Sequence, residues 1–213
     1  GESVVLLKNK DRQLPLKPSV NMAVIGDFAK NTRYQGAGSS QVVPTALDNA
    51  FECIASKLDE QGSVSYAKGY EPGKTELDQD LIQEAVDVAG LVDVVVLFVG
   101  LPATDESEGF DRKHLDIPRQ QEVLINAVCK ENPNSVVVLT NGAPIRMPWV
   151  DAPRAILEGY LLGQAGGAAI TDILFGKTNP SGKLAESFAL EQQDIPSESW
   201  FPGTGRQVQY REG

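Results

Sequence analysis

The residues best suited to chemistry are the carboxylates of the run Asp105-Glu106-Ser107-Glu108-Gly109-Phe110-Asp111-Arg112, the densest acidic cluster in the chain. It follows directly on the apolar segment DVVVLFVG, residues 93–100. A carboxyl group at the end of a buried strand, on a glycine-containing loop, can reach into a cleft. With its pKa raised it can hand a proton to a departing oxygen near neutral pH. Composition alone reads the same run as a solvated acidic turn, and Arg112 beside Asp111 fits either a local ion pair or a contact to a ligand hydroxyl.

Other chemistries lack their residues. His114 is the sole histidine, and it lies in a charged loop with no GxSxG elbow anywhere. A serine hydrolase and a multi-histidine zinc site are therefore both disfavoured. The turn at Gly26-Asp27-Phe28-Ala29-Lys30 has no GxGxxG, and Gly36-Ala37-Gly38-Ser39-Ser40 has two glycines without a third, so a dinucleotide site is not expected. Gly176-Lys177-Thr178 resembles the end of a phosphate loop, but Thr171 stands where the upstream glycine is needed. Cys53 and Cys129, the only cysteines, sit among apolar neighbours and read as buried thiols.

The elements that must position the acidic run alternate in type. Apolar β-branched runs at 22–25, 63–67, 93–99, 135–140 and 155–158 read as strands, with a further strand-like run opening the chain. Residues 44–61 show helical spacing at Leu47, Ala50, Phe51, Ile54 and Leu58, and residues 76–91, 118–132 and 166–175 read as further helices. Strand and helix in alternation predict an α/β fold, a three-layer α/β/α sandwich around a mostly parallel sheet. The simplest parse is one domain over 1–213 with an extended segment from 176. In such sheets the functional loops lie beyond the carboxyl ends of the strands, here 26–43, 100–117, 141–153 and 159–164.

The 213 residues carry 19 Lys and Arg against 29 Asp and Glu, a net charge of −10, with 41% hydrophobic residues. That balance argues against nucleic acid and anionic membrane surfaces as partners. No run of about 18 apolar residues occurs, so no membrane span is expected. The start, Gly1-Glu2-Ser3-Val4, has no leader pattern, and the chain is expected to be a piece of a longer protein.

Several ordered motifs carry a family resemblance. They are Ser3-Val4-Val5-Leu6-Leu7-Lys8-Asn9 with Leu14-Pro15-Leu16, Ala23-Val24-Ile25-Gly26, Gly36-Ala37-Gly38-Ser39-Ser40 with Pro44, and Glu106 to Arg112 with Leu115-Asp116-Ile117-Pro118. Later come Pro148-Trp149, Gly163-Gln164-Ala165-Gly166, Pro180-Ser181-Gly182-Lys183-Leu184 and Phe201-Pro202-Gly203-Thr204. Together they resemble the second, α/β domain of glycoside hydrolase family 3, the β-glucosidase and β-xylosidase type enzymes.

The resemblance implies a retaining β-glycosidase without metal or cofactor. Its nucleophile would lie on an N-terminal TIM barrel that this chain lacks, and its acid/base glutamate on the loop that holds Glu106 here. Such chemistry wants two carboxyls roughly 5–5.5 Å apart, so this chain would hold half an active site and be inactive alone. Glu106 is the favoured acid/base, since the Glu108-Gly109 step can instead set the turn. Glu108 is the alternative. Asp111, Arg112, Gly38 and Ser39 are weaker candidates for substrate contact. The acidic loop fits the glucosidase-like branch better than the β-N-acetylglucosaminidase branch, which takes its acid/base from a His-Asp pair on the barrel. The expected partners are the barrel and a β-glycoside, and the bare barrel-facing surface allows self-association. Trp149 is read as packing a strand edge rather than stacking on a sugar. The rival readings are a non-catalytic carbohydrate-binding or structural domain, a receiver-like domain with paired aspartates, and a nucleotide-binding module.

Overall fold

The computed structural model describes residues 1–109, 111–201, 203, 205–207 and 209. Phe110, Pro202 and Thr204 of the motifs above lie outside the described residues. Six strands form one sheet: β1 (Val5–Asn9), β2 (Asn21–Ile25), β3 (Ser63–Ala67), β4 (Val94–Gly100), β5 (Ser135–Thr140) and β6 (Ala155–Glu158). Their order across the sheet is β1-β6-β5-β4-β2-β3. All neighbours are parallel except β1, which runs antiparallel along β6 at the edge. Every residue of β4 is buried, as both-faced apolarity requires of a central parallel strand.

Among the described residues three α-helices fill crossovers, α1 (Ala50–Ala55), α2 (Gln79–Ala89) and α3 (Arg119–Glu131), and a fourth, α4 (Gly166–Leu174), follows β6. From β2 to β3 the chain steps one way across the sheet. From β3 to β4 and from β4 to β5 it steps the other way. Right-handed connections therefore put α1 on one face and α2 and α3 on the opposite face. The packing agrees: α1 lies against α4, and α2 against α3.

Local chemistry sets the helix limits. Asp78 caps α2 by accepting from the Leu81 amide at 3.2 Å, and Ile82, Ala85 and Ala89 form its buried stripe. α3 begins just after Pro118 and buries Leu124, Ile125, Val128 and Cys129. α1 is much shorter than the spacing over 44–61 suggests. Asn49 caps it by accepting from the Glu52 amide at 2.8 Å, and before it Asp48 is held in an extended connection, its amide on Gln164 O at 2.9 Å and its carbonyl on Thr32 Oγ1 at 2.9 Å. After Leu174 the described residues form no further strand or α-helix. That segment folds back on the N-terminus, where the Gly182 amide donates to Val4 O at 3.0 Å.

The strand order reverses between β2 and β4, so the loops leaving these two strands diverge and open a crevice at their carboxyl ends. Gly26 ends β2 with φ +116°, and a Cβ there would sit 2.1 Å from Phe98 O of β4. At the other strand, Gln121 of α3 accepts from the Gly100 amide at 2.8 Å and fixes where β4 stops. The loop carrying the acidic run starts from that fixed point.

Candidate functional site

An isolated parallel bridge, Ala37 to Ser107, joins the loop after β2 to the loop after β4. It brings Gly38-Ser39 beside Glu106 and Glu108, so four of the residues singled out in the sequence meet at the crevice. Asp111 and Arg112 do not join them. With His114 they line a separate cleft of about 610 Å³ that neither glutamate borders. No Asp111–Arg112 ion pair forms among the described residues. Arg112 instead donates to Pro144 O at 2.8 Å, and its burial holds the guanidinium below its ordinary range.

The two glutamates occupy opposite environments. Glu106 Oε2 is paired with Arg33 Nη1 at 2.5 Å. The Gly142 amide donates to both of its oxygens at 2.9 Å, and the Ala143 amide to Oε1 at 2.8 Å. The Arg33 side chain is 6% exposed and that of Glu106 11%. So held, the Glu106 side chain clamps three loops, those after β2, β4 and β5. Glu108 is exposed, and among the described residues it is hydrogen-bonded only to Ser39, through Ser39 N at 2.9 Å and Ser39 Oγ at 2.5 Å. The two Ser39 donors, the hydroxyl foremost, hold its pKa below the ordinary carboxylate value. Gly38, at φ +105°, allows this approach, because a Cβ there would lie 2.7 Å from the Glu108 Cβ.

A third carboxylate escaped the sequence reading. Glu158 ends β6 fully buried. Its oxygens accept from the Tyr160 amide at 2.8 Å and from Asn141 Nδ2 at 3.1 Å. Burial, with the charge of Glu106 as a further cause, pushes its pKa up to about 7 from 4.5. Between those two pH values the folded chain keeps a proton that the unfolded chain has released, so this group's contribution to stability is lost as pH rises through the window. At about 1.4 kcal/mol per unit the loss is on the order of 3 kcal/mol. Glu158→Gln is expected to remove that slope. Urea midpoints of variant and parent should diverge in the variant's favour between pH 4.5 and 8, and parallel curves would contradict the assignment.

Arg33, Asn141 and Gly142 were also not singled out. Each lies in a loop, and the carboxylate it binds is remote in the chain: Arg33 and Glu106 are 73 positions apart, Gly142 and Glu106 36, and Asn141 and Glu158 17. The one local signal was a charged residue closing an otherwise apolar strand, AILE at 155–158. Trp149 is 2% exposed and belongs to the hydrophobic core cluster. Cys129 is buried, its thiol pushed up to about 11 by desolvation, while Cys53 is only half-buried, on α1 beside the buried Ala50 and Ile54. Among the described residues no group of three or more His, Cys, Asp or Glu could hold a metal ion.

Comparison with known proteins gives a consistent outcome. The chain is 50% identical over its whole length to thermostable beta-glucosidase B of Acetivibrio thermocellus, covering 28% of that protein. It is 44% identical to an exo-alpha-(1->6)-L-arabinopyranosidase of Bifidobacterium breve, covering 29% of it. It superposes on a crystal structure of a Bifidobacterium adolescentis GH3 beta-glucosidase with a TM-score of 0.91 at 45% identity, over 97% of this chain and 30% of that one. The chain thus spans less than a third of the length of the curated relatives it matches. The glycosyl hydrolase family 3 C-terminal domain matches residues 4–213, and this chain belongs to that family.

Proposed function

We propose that this chain is the second domain of a retaining β-glycosidase acting on terminal β-D-glucosyl or related residues. It delivers the general acid/base carboxylate to an active site shared with an N-terminal barrel, and Glu108 is that carboxylate. The observation that carries the reading is the contrast at the crevice. Glu106 is saturated by Arg33 and two backbone amides, whereas Glu108 is exposed on a glycine-flanked turn with Ser39 as its one hydrogen-bond partner among the described residues. A proton donor must be able to exchange its proton with solvent and reach the glycosidic oxygen. Glu106 does neither while it holds Arg33.

Bound to Ser39, Glu108 rests as a carboxylate. To act as an acid it must meet a second negative charge that raises its pKa. The nucleophile on the barrel supplies that charge at the spacing retaining chemistry needs, roughly 5–5.5 Å. The isolated domain, without that nucleophile, is inactive. Asp111 and Arg112 face the separate cleft and are placed outside the sugar site in this reading. Gly38 and Ser39 hold the resting position of the acid.

The test uses the full-length enzyme and Glu108→Gln. Loss of a general acid slows substrates with poor leaving groups far more than those with good ones. Turnover of an alkyl β-glucoside should fall by about 10²–10⁴-fold, and that of a dinitrophenyl β-glucoside by much less. An equal loss on both substrates would return the domain to a structural or sugar-binding role.

A further inference from the structure

We propose that Glu158 is a positioning residue for the proton-donating loop, acting through Asn141 on the backbone amides that hold Glu106. The inference rests on the reading of Glu108 given above, since Glu106 anchors the loop two residues before it.

The link is continuous. Asn141 Nδ2 spends one hydrogen on Glu158 Oε2 at 3.1 Å and the other on Ala143 O at 2.9 Å. That second bond shapes the turn whose Gly142 and Ala143 amides point at Glu106. On the other side, Glu158 Oε1 accepts from the amide of Tyr160, a non-glycine residue at φ +57°. A buried acceptor therefore pins one left-handed residue and one amide side chain together.

The amide orientation of Asn141 has a cost. Its Oδ1 is buried without a hydrogen-bond partner among the described residues, a state that natural interiors seldom tolerate. A carboxylate at Glu158 explains it, because an ionised acid only accepts and so demands the NH₂ side of Asn141. A protonated Glu158 carries an O–H, for which the orphaned Oδ1 is the matching acceptor. The Asn141 amide would then turn over and release Ala143 O. The same two partners thus have two arrangements, and proton occupancy of Glu158 chooses between them.

The surroundings leave few other groups to drive this change. Glu106 faces Glu158 from the loop after β4, and Tyr160 follows it in the chain. Arg33 and Arg112 act on Glu106, and Glu186 on Tyr160. The strands on either side offer Val5 and Leu139, which do not titrate. With the Glu158 pKa near 7, both arrangements are populated around neutrality.

Nuclear magnetic resonance on the 213-residue chain tests the link without activity. The Gly142 and Ala143 amide shifts should titrate together near pH 7, and Glu158→Gln should abolish that titration. Asn141→Ala should leave the Glu158 carboxyl carbon titrating while silencing both amides, and this variant decides the matter should Glu158→Gln not fold. Amides that titrate unchanged in either variant, or that show no step between pH 5 and 9, would overturn the proposal. In the full-length enzyme Glu158→Gln should lower kcat about 10-fold with little change in KM, in line with a small displacement of a catalytic group. It should also remove the limb of the pH–rate profile near neutrality, and a profile that keeps the limb would equally overturn the proposal. A failure of the Glu108 assignment would show separately, as an unchanged leaving-group dependence with the amide coupling intact.

Discussion

Replacing Arg33 by Met should cost the chain about 3–5 kcal/mol of stability at neutral pH, the range for stranding one partner of a buried ion pair. Glu106 would then keep its two backbone amides but lose its counter-charge, with Glu158 close enough to raise its energy further. The lower half of the range is expected. Arg33 Nε and Nη2 are themselves buried without hydrogen-bond partners among the described residues, so part of what the guanidinium gains from Glu106 and from Leu101 O is offset in the parent. Adding Glu106→Gln to Arg33→Met should recover much of the loss, because the uncompensated charge is gone. Urea denaturation of the single and double variants measures both quantities. A single-variant loss below about 1 kcal/mol, the level of an exposed pair, would mean that the clamp does not organise the three loops.

Removing the Glu108 carboxyl should have the opposite signature, with little change in stability and a large change in rate. Its side chain is exposed and, among the described residues, bonded only to Ser39, so Glu108→Ala should move the urea midpoint of the chain by no more than a typical surface substitution, roughly 0.5 kcal/mol. In the full-length enzyme the same change should lower kcat by about 10²–10⁴-fold, the usual contribution of a positioned acid/base. Glu106→Gln should behave differently: a clear loss of stability from the broken clamp, with any rate loss following from displacement of the loop. The pair of ratios, stability against rate, separates an anchor from an acid where activity alone would not.

How much of this was legible in the sequence depended on whether the signal was local. Strands 135–140 and 155–158 match their apolar runs residue for residue, because burial on both faces leaves no competing arrangement for such segments; edge strand 63–67 matches as well, though Ser63 and Ser65 on it are exposed. The antiparallel lie of β1 was not legible, since edge pairing depends on a partner 150 residues away. Helix 44–61 was overread for a similar reason. Its apolar spacing is genuine, yet only residues 50–55 wind, because tertiary hydrogen bonds from Gln164 and Thr32 hold Asp48 out of the helix. At the site, the acidic run stood out by composition and position. The difference between its two glutamates did not, because it is made by Arg33, Ser39 and the Gly142 turn, all distant in the chain. Glu158 is visible only once the sheet places it at the end of β6 beside the loop after β5.

The most direct measurement is chemical rescue in the full-length enzyme carrying Glu108→Ala or Glu106→Ala, assayed on an activated aryl β-glucoside with and without azide. An enzyme lacking its acid/base still forms the glycosyl intermediate from such a substrate, and azide, which needs no proton removed, can attack it from the space the carboxyl vacated. Azide is expected to restore turnover to Glu108→Ala and to yield the β-glycosyl azide, while leaving Glu106→Ala unimproved. Rescue at position 106 with none at 108, or rescue at neither, would contradict the account.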